Sequence, residues 1–508
     1  MAVEVPPTLP ESIAECHALI TALQGDLEER DKRIDYLVRR LFGTKSERMD
    51  PNQLALFDVE EQAEPEPEIE AASDAAPRPK RKGHGRKPFP EDLPRKRVEH
   101  DVAPAEKCCP ECGADKIRFG EDTSEQLEYV PASLYVIEHV RPKYACPHCQ
   151  EHVSQATKPA QAIEKSTAGP GLIAHVLTSK YCDHLPLHRQ EKIFKRHGVE
   201  LSRKTLCGWT LQSAALLAPV AAAMTQAVLE SRVIHTDDTP VQVQDPEKKR
   251  RTRKAYLWPY LGDAAHPYTV FDYTPTRSRE GPETFLAHFT GEDGHPRYLQ
   301  CDAFPGYDRL FAKERHLLEV GCWAHARRKF HDAKTSDPVR AHQAMLKIGA
   351  LYDLERHAKE DGLDDDARLA LRHEQARPLL DEFHAWLIDA KQSVLPKSPI
   401  GQAVDYALNH WTALKRYTDA PFLAIDNNAA ERAVRAIAVG RKNWLFFGSD
   451  RGGHAAAIHF SLIASAQRHG LDPFAYLRDL LEHLPAWPQR DLRQLLPDHW
   501  KQHPHPEQ

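Results

Sequence analysis

Residues 232–243 read RVIHTDDTPVQV, with apolar and polar side chains alternating around two adjacent aspartates. Period-two alternation marks a strand with one face on a core, and here it leaves Asp237 at the end of the first strand. Four further runs of the same character follow: RKAYLWPYLG (253–262), PYTVFDYT (267–274), RYLQCDAF (297–304) and HLLEVGCW (316–323). Helical REGPETFLAHF (279–289) and YDRLFAKER (307–315) separate the last three runs. Three consecutive strands, then helix, strand, helix and strand specify a mixed sheet covered by helices.

Working outward, residues 331–420 are helical and highly charged without a strand signal, and a last core helix starts near Asn428. The sheet domain therefore comprises residues 230–330 and 421–470, interrupted by a helical insertion and followed by a helical tail over 471–508. On the other side, residues 156–229 are helical. Within them LPLHRQEKIFKRHGVELSRKTLCGWTLQ (185–212) has helix-turn-helix spacing: a helix from Leu187 to Arg196, a turn at 197–199, and Ser202 capping a second helix that carries Arg203, Lys204, Thr205 and Trp209. An ordinary basic helical hairpin would read the same way.

Residues 95–155 hold CPEC (Cys109, Cys112) and CPHC (Cys146, Cys149) around LEYVPASLYVIEHVRPKYAC (127–146), which has strand character. Two such turns close a four-thiolate Zn²⁺ site with no open position, so this is a small structural zinc-binding β module, in which Cys108 can replace Cys109. Residues 46–94 form a linker, acidic from Asp58 to Asp74 and basic from Arg78 to Arg97. In residues 1–45, Ile13, Ile20, Leu27, Ile34 and Leu41 recur every seventh position, a coiled-coil pattern that favours a homo-oligomer over a single packed helix.

The 508-residue chain is too long for one core, and its formal net charge of −6 conceals the segregated basic segments that a DNA phosphate backbone would feel. Ten cysteines, four in CxxC pairs, point to metal binding in a reducing compartment. The N-terminal residues lack a basic stretch and an apolar core, and the longest apolar run (214–224) contains Pro219. These features lead us to expect a soluble cytoplasmic protein without a membrane span.

Asp237 and Asp302 lie at strand ends and Glu431 one turn into the last core helix, where side chains of an open sheet converge on a crevice. Carboxylates so placed suit two hard divalent cations, Mg²⁺ or Mn²⁺, for phosphoryl displacement. Alternation alone does not say whether Asp237 or Asp238 faces the crevice. Glu431 also fits a capping box with Asn428 as N-cap.

At the level of ordered motifs, the chain resembles the transposases of the insertion sequence sixty-six family. The resemblance rests on RRLFGTKSE, CPECG, RPKYACPHC, KYCDHLPLHRQEKI, GVELSRKTLCGW, HTDDTPV, LQCDAFPGY, CWAHARRKF and IDNNAAERAVRAIAVGRKNWLFFGS. It implies a multidomain α+β protein with a ribonuclease H-like mixed α/β catalytic core and a DDE triad at Asp237, Asp302 and Glu431. His325 and Arg328 then belong to a motif close to the active site. The implied activity is metal-dependent DNA cleavage and strand transfer at the terminal inverted repeats of an insertion sequence, with two small accessory proteins of the same element as partners. With the family in view, Arg432, Arg435, Arg441 and Lys442 become candidates to hold DNA phosphates, as does KKRRTRK (248–254) at the tip of the first hairpin. A non-catalytic DNA-binding regulator and a structure-specific nuclease are the rival readings.

The paired knuckles predict about one zinc per chain. Metal analysis of the purified protein checks this, and Cys109→Ser combined with Cys112→Ser should remove the zinc.

Overall fold

The computed structural model describes residues 97, 111, 133–144, 154–245, 247, 252–312 and 315–500. The heptad segment, the 46–94 linker, Cys109, Cys112, Cys146, Cys149 and Lys248 to Arg251 of the basic tip lie outside the described residues. The chain divides into one unit of residues 60–138 and another holding the rest.

The large unit begins with a short antiparallel ribbon, β1 (Lys143–Tyr144) against β2 (Ser154–Gln155). The expectation of strand over 127–146 needs correction. Residues 133–142 form no strand, and Leu134, Tyr135, Val136, Ile137 and Val140 are exposed. Strand propensity gains little where the backbone has no partner to complete a ladder.

The main sheet holds β3 (Val233–Thr236), β4 (Thr239–Gln244), β5 (Thr252–Leu261), β6 (Thr269–Thr274), β7 (Arg297–Gln300) and β8 (Leu317–Val320). The opening motif is one bent strand. Both β3 and β4 pair antiparallel with one edge of β5, and Asp237 and Asp238 fill the gap between them. The strand β6 lies on the other edge of β5, while β7 and β8 run parallel to β3. His235 is in register with Gln300, so Asp237 and Asp302 each stand two residues beyond a matched pair on adjacent parallel strands.

Alternation along β3 sends Ile234 and Val233 into different cores. Ile234 joins a cluster with α1 (Pro170–Tyr181), α2 (Leu187–Arg196), α3 (Arg203–Leu229), α11 (Asn428–Trp444), α12 (Asp450–Arg468) and α13 (Pro473–His483). Residues 163–229 and 471–496 thus share one core with the sheet. Along α3, Leu206, Trp209, Leu217, Val220, Met224 and Val228 form its buried face. This helix is long and apolar enough to cross a membrane, but that spacing is what a core helix requires. On β6, Ser461 and Ser465 of α12 accept the amides of Phe271 and Thr269, which shields the sheet edge from further pairing.

Val233 joins the second cluster, formed with α5 (Trp323–Asp332), α6 (Pro338–Glu360), α8 (Arg377–Ser393), α9 (Pro399–Asn409) and α10 (Trp411–Lys415). Short α4 (Glu280–Phe285) and α7 (Asp365–Leu371) complete the set. Between β8 and Asp419 the described elements are all helices, the first of them starting at Trp323, ahead of residue 331. At its centre the buried Arg372 meets both oxygens of Glu355 at 2.7 and 2.8 Å. It also donates to the carbonyls of Tyr417, Ala420 and Leu423, fixing the loop that returns to the sheet.

Arg372→Leu should destabilise the protein by about 3–5 kcal/mol, because it leaves the carbonyls of Tyr417, Ala420 and Leu423 without their donor and half-buried Glu355 with only Arg368, 3.8 Å away. Urea unfolding checks this. Arg372→Leu with Glu355→Leu should recover part of the loss.

Candidate active site

The third acid reaches the sheet because residues 424–428 are fastened backbone first. Gln300, at the end of β7, donates to the carbonyls of Ala424 and Asp426 at 2.7 and 2.9 Å. The amide of Trp323 bonds Ile425 O, and Cys322 Sγ accepts the amide of Asn427. Asn427 is fully buried; its Nδ2 donates to Thr236 O at 2.8 Å and its Oδ1 lies 3.2 Å from His235 Nδ1. Burial pushes His235 down to about 4, so the ring is neutral near pH 7 and Nδ1–H can donate to that oxygen.

Here the capping-box reading is corrected. Asn427, not Asn428, is the N-cap of α11, and no side chain caps it. Asn428 instead bonds Asp426, its amide to Oδ1 and its Nδ2 to Oδ2. With the cap one residue earlier, Glu431 sits beyond the position from which a capping box closes. It is left half-buried, its Oε1 3.6 Å from His325 Nδ1.

Asp237, Asp302 and Glu431 are brought close enough to feel one another's charge. Burial, with Asp302 as the nearest repelling carboxylate, pushes Asp237 up to about 8. Glu431 is pushed up to about 7 by burial and by Asp426, with Asp302 adding to it and Arg328 opposing. Asp302 is raised by burial and held back by Arg277; its buried Oδ1 has no hydrogen-bond partner among the described residues.

The adjacent aspartates differ in their contact with Arg277, which sequence reasoning missed. Its Nε and Nη2 both meet Asp238 Oδ1, at 2.8 and 2.5 Å, while its guanidinium lies 4.1 Å over the Phe304 ring. Arg277 thus pairs chiefly with Asp238, though its Nη2 also lies 4.0 Å from Asp302 Oδ2, while Asp237 feels both Asp302 and Glu431. Nothing in the spacing of Arg277 from 237 or 302 marks it; only the sheet brings it there. Asn427 was equally hidden inside a motif read for Glu431.

Cys322 Sγ, His325 and Glu431 present atoms within 4.8 Å of one another. Burial raises the Cys322 thiol and it already accepts the Asn427 amide, so it is a thiol locked in the loop and a poor partner for a hard cation. His325 is lowered by burial and by Arg328 and Lys329, and so stands neutral beside Glu431. Arg328 is exposed one residue-turn away on α5.

The candidate DNA contacts divide. Arg432 and Lys442 are exposed on α11 and Arg435 is half-buried. Arg441 is corrected to a structural clamp: its Nη1 donates to Thr239 Oγ1 and Pro240 O, tying α11 to β4. Within the basic tip, Arg253 pairs with Asp450, leaving Lys254 exposed. The helix-turn-helix spacing is realised in α2 and α3. Gly198 adopts φ +79° in the turn, and Ser202 caps α3 by accepting the Thr205 amide. Arg203 and Lys204 are exposed, whereas Thr205 is engaged with Ser202 through its hydroxyl as well.

The family model described as Transposase IS66 family matches residues 165–455. Three others match residues 106–150 (zinc-finger binding domain of transposase IS66), 31–98 (Transposase C of IS166 homeodomain) and 461–497 (IS66 C-terminal element). Among relatives, the uncharacterized protein y4hP of Sinorhizobium fredii is 32% identical over 501 residues, covering 92% of this chain and 88% of that protein. Another from the same organism, y4jD, is 32% identical over 520 residues, covering 97% of each. With a DDE-type domain spanning more than half its length and relatives aligned from end to end, the chain belongs to the IS66 transposase family.

Proposed function

We propose that the chain binds the terminal inverted repeats of its own insertion sequence and catalyses cleavage and strand transfer there. The observation that carries this reading is the clustering of acids at one end of the parallel strands: Asp238 is paired with Arg277, which also reaches Asp302, while Asp237 and Glu431 are both raised by burial and by Asp302. The strand order, with β5 alone antiparallel among the five principal strands, supports a ribonuclease H-like core with a helical insertion.

The donor set fits a hard divalent cation, since it is all oxygen and includes the orphaned Asp302 Oδ1. Asp237, Asp302 and Glu431 would hold Mg²⁺ or Mn²⁺, which when bound supplies activation of an attacking oxygen and offsets charge on the leaving one. Asn427 keeps Glu431 at the strand ends, and Arg277 keeps Asp238 from competing. Neutral His325 sits beside Glu431 without adding charge. Water attacks the phosphodiester at the element end and releases a 3′-hydroxyl, which then attacks target DNA, with no covalent protein intermediate. Exposed Arg432 and Lys442 would hold phosphates beside this site, and Arg203 and Lys204, with the zinc module, would recognise the repeats. Self-association through residues 1–45, two accessory proteins of the element and a cytoplasmic location belong to the same reading.

Two outcomes are expected. In the metal-free protein, raised carboxyls hold their protons longer when folded than when unfolded, so their contribution to stability is lost as pH rises from about 4 towards the folded values of about 7 and about 8. Thermal unfolding should therefore gain more from Mn²⁺ at pH 8 than at pH 5, and Asp302→Asn should shrink both the pH slope and the metal effect. Second, Glu431→Gln should retain binding of element ends while losing cleavage by several orders of magnitude. Gel shift and cleavage assays with Mg²⁺ and the element's partner proteins check this; near-normal cleavage would remove Glu431 from the triad.

A further inference from the structure

Beyond Glu431, helix α11 carries a surface stripe that ends in a strained apolar turn. Arg432, Ala436, Val439 and Lys442 are exposed at three- and four-residue spacing, and that spacing places them on one side of the helix. The helix stops at Leu445, whose φ of +64° and ψ of −49°, with the Phe446 amide bonded to Trp444 O at 2.8 Å, make a γ-turn of the rare, strained hand. A leucine held so is costly and persists only where the surroundings over-determine it. They do: Phe447 bonds Gln242 and Gln244 of β4 through both its backbone groups, and its ring stacks on Trp444 at 4.7 Å.

The outcome of that anchoring is two large apolar side chains held out into solvent, Leu445 at 61% and Phe446 at 42% exposure. Basic side chains lie on the neighbouring elements. Lys442 lies one turn back, and exposed Lys254 stands in register with Gln242. Arg189 of α2 reaches Asn443 at 3.4 Å, and the exposed side of α2 adds His188, Lys192, Lys195 and Arg196. Apolar tips within a basic surface complement a nucleic acid, whose bases offer apolar faces behind a charged backbone.

We propose that Leu445 and Phe446 form a wedge that unstacks the bound DNA end. The proposal rests on the function above. Fourteen residues of helix separate Glu431 from Leu445, roughly 21 Å along the axis at about 1.5 Å per residue. At about 3.4 Å per base pair, a duplex lying along the stripe meets the wedge roughly six base pairs from the phosphate held at Glu431. The strained turn keeps the tips rigid, so the distortion falls at one step. The DNA then bends toward the basic faces of α2 and the β4–β5 hairpin.

The test uses full-length protein and element-end duplexes carrying 2-aminopurine at single positions on either side of the cleavage point, with gel shifts in parallel. Fluorescence should rise severalfold at one or two positions about six base pairs away. Leu445→Ser with Phe446→Ser should abolish that rise while end affinity changes less than about tenfold, and Phe446→Trp should preserve it. Bound DNA that brightens at no position, or a double variant that brightens it normally, overturns the wedge alone. A double variant that instead changes the sedimentation of the DNA-free protein assigns the turn to contact between copies and overturns it too. Failure of the wild-type protein to shift any element end overturns the end-recognition reading together with the wedge.

Discussion

A single buried amide, Asn427, holds the third acid against the first strand. Its hydrogen bonds to Thr236 and His235 join residues about 190 positions apart in the chain and fix where α11 starts beside β3. In the loop from Leu423 to Asn427, four carbonyls are bonded by Arg372, Gln300 and Trp323, and the Asn427 amide by Cys322. Buried backbone with no partner would be costly, so these donors leave the loop one path and α11 one starting point. The helical array between β8 and α11 thereby acts on the site from a distance, through Arg372 and the loop it pins.

Held in place this way, the carboxylates are in an unfavourable electrostatic state on their own. Burial raises all three and repulsion adds to it at Asp237 and Glu431, while Arg277 eases Asp302 and Arg328 eases Glu431 without cancelling the rise. A site that keeps repulsion beside an arginine that pairs with the neighbouring acid is organised for a ligand of positive charge. The same division between anchored and presented groups recurs along α11. Arg441 fastens the helix to β4, while Lys442 is exposed.

Much of this was legible in the sequence, for reasons that differ by element. Of the strands, β4 keeps strict alternation because one side faces a core, while β3 enters two cores, and the α2 and α3 boundaries are set by local chemistry at Gly198 and Ser202. The three acids were legible through strand ends and ordered motifs. What was hidden depends on contacts far apart in sequence. Arg277 and Asp238 lie 39 residues apart and meet only through the sheet. Asn427 could not be told from Asn428 as the cap, because both suit a helix start and only the pull of Thr236 and His235 decides. The apolar residues of 133–142 misled for the opposite reason, since side-chain alternation says nothing about whether a backbone partner exists.

The separation of Asp237 from Glu431 also sets an order in time. A ribosome adding about 5–20 residues per second needs roughly 10–40 seconds to pass from the first acid to the third. During that interval the emerging chain already contains the zinc knuckles and the helix pair α2–α3, but has no third carboxylate. On the proposed function, a protein that cuts DNA would thus be inert while it is still being made, and a fragment that stops before Asn427 would lack the acid proposed to complete the site. Premature termination of synthesis would yield a competitor for the same DNA without an added source of breaks.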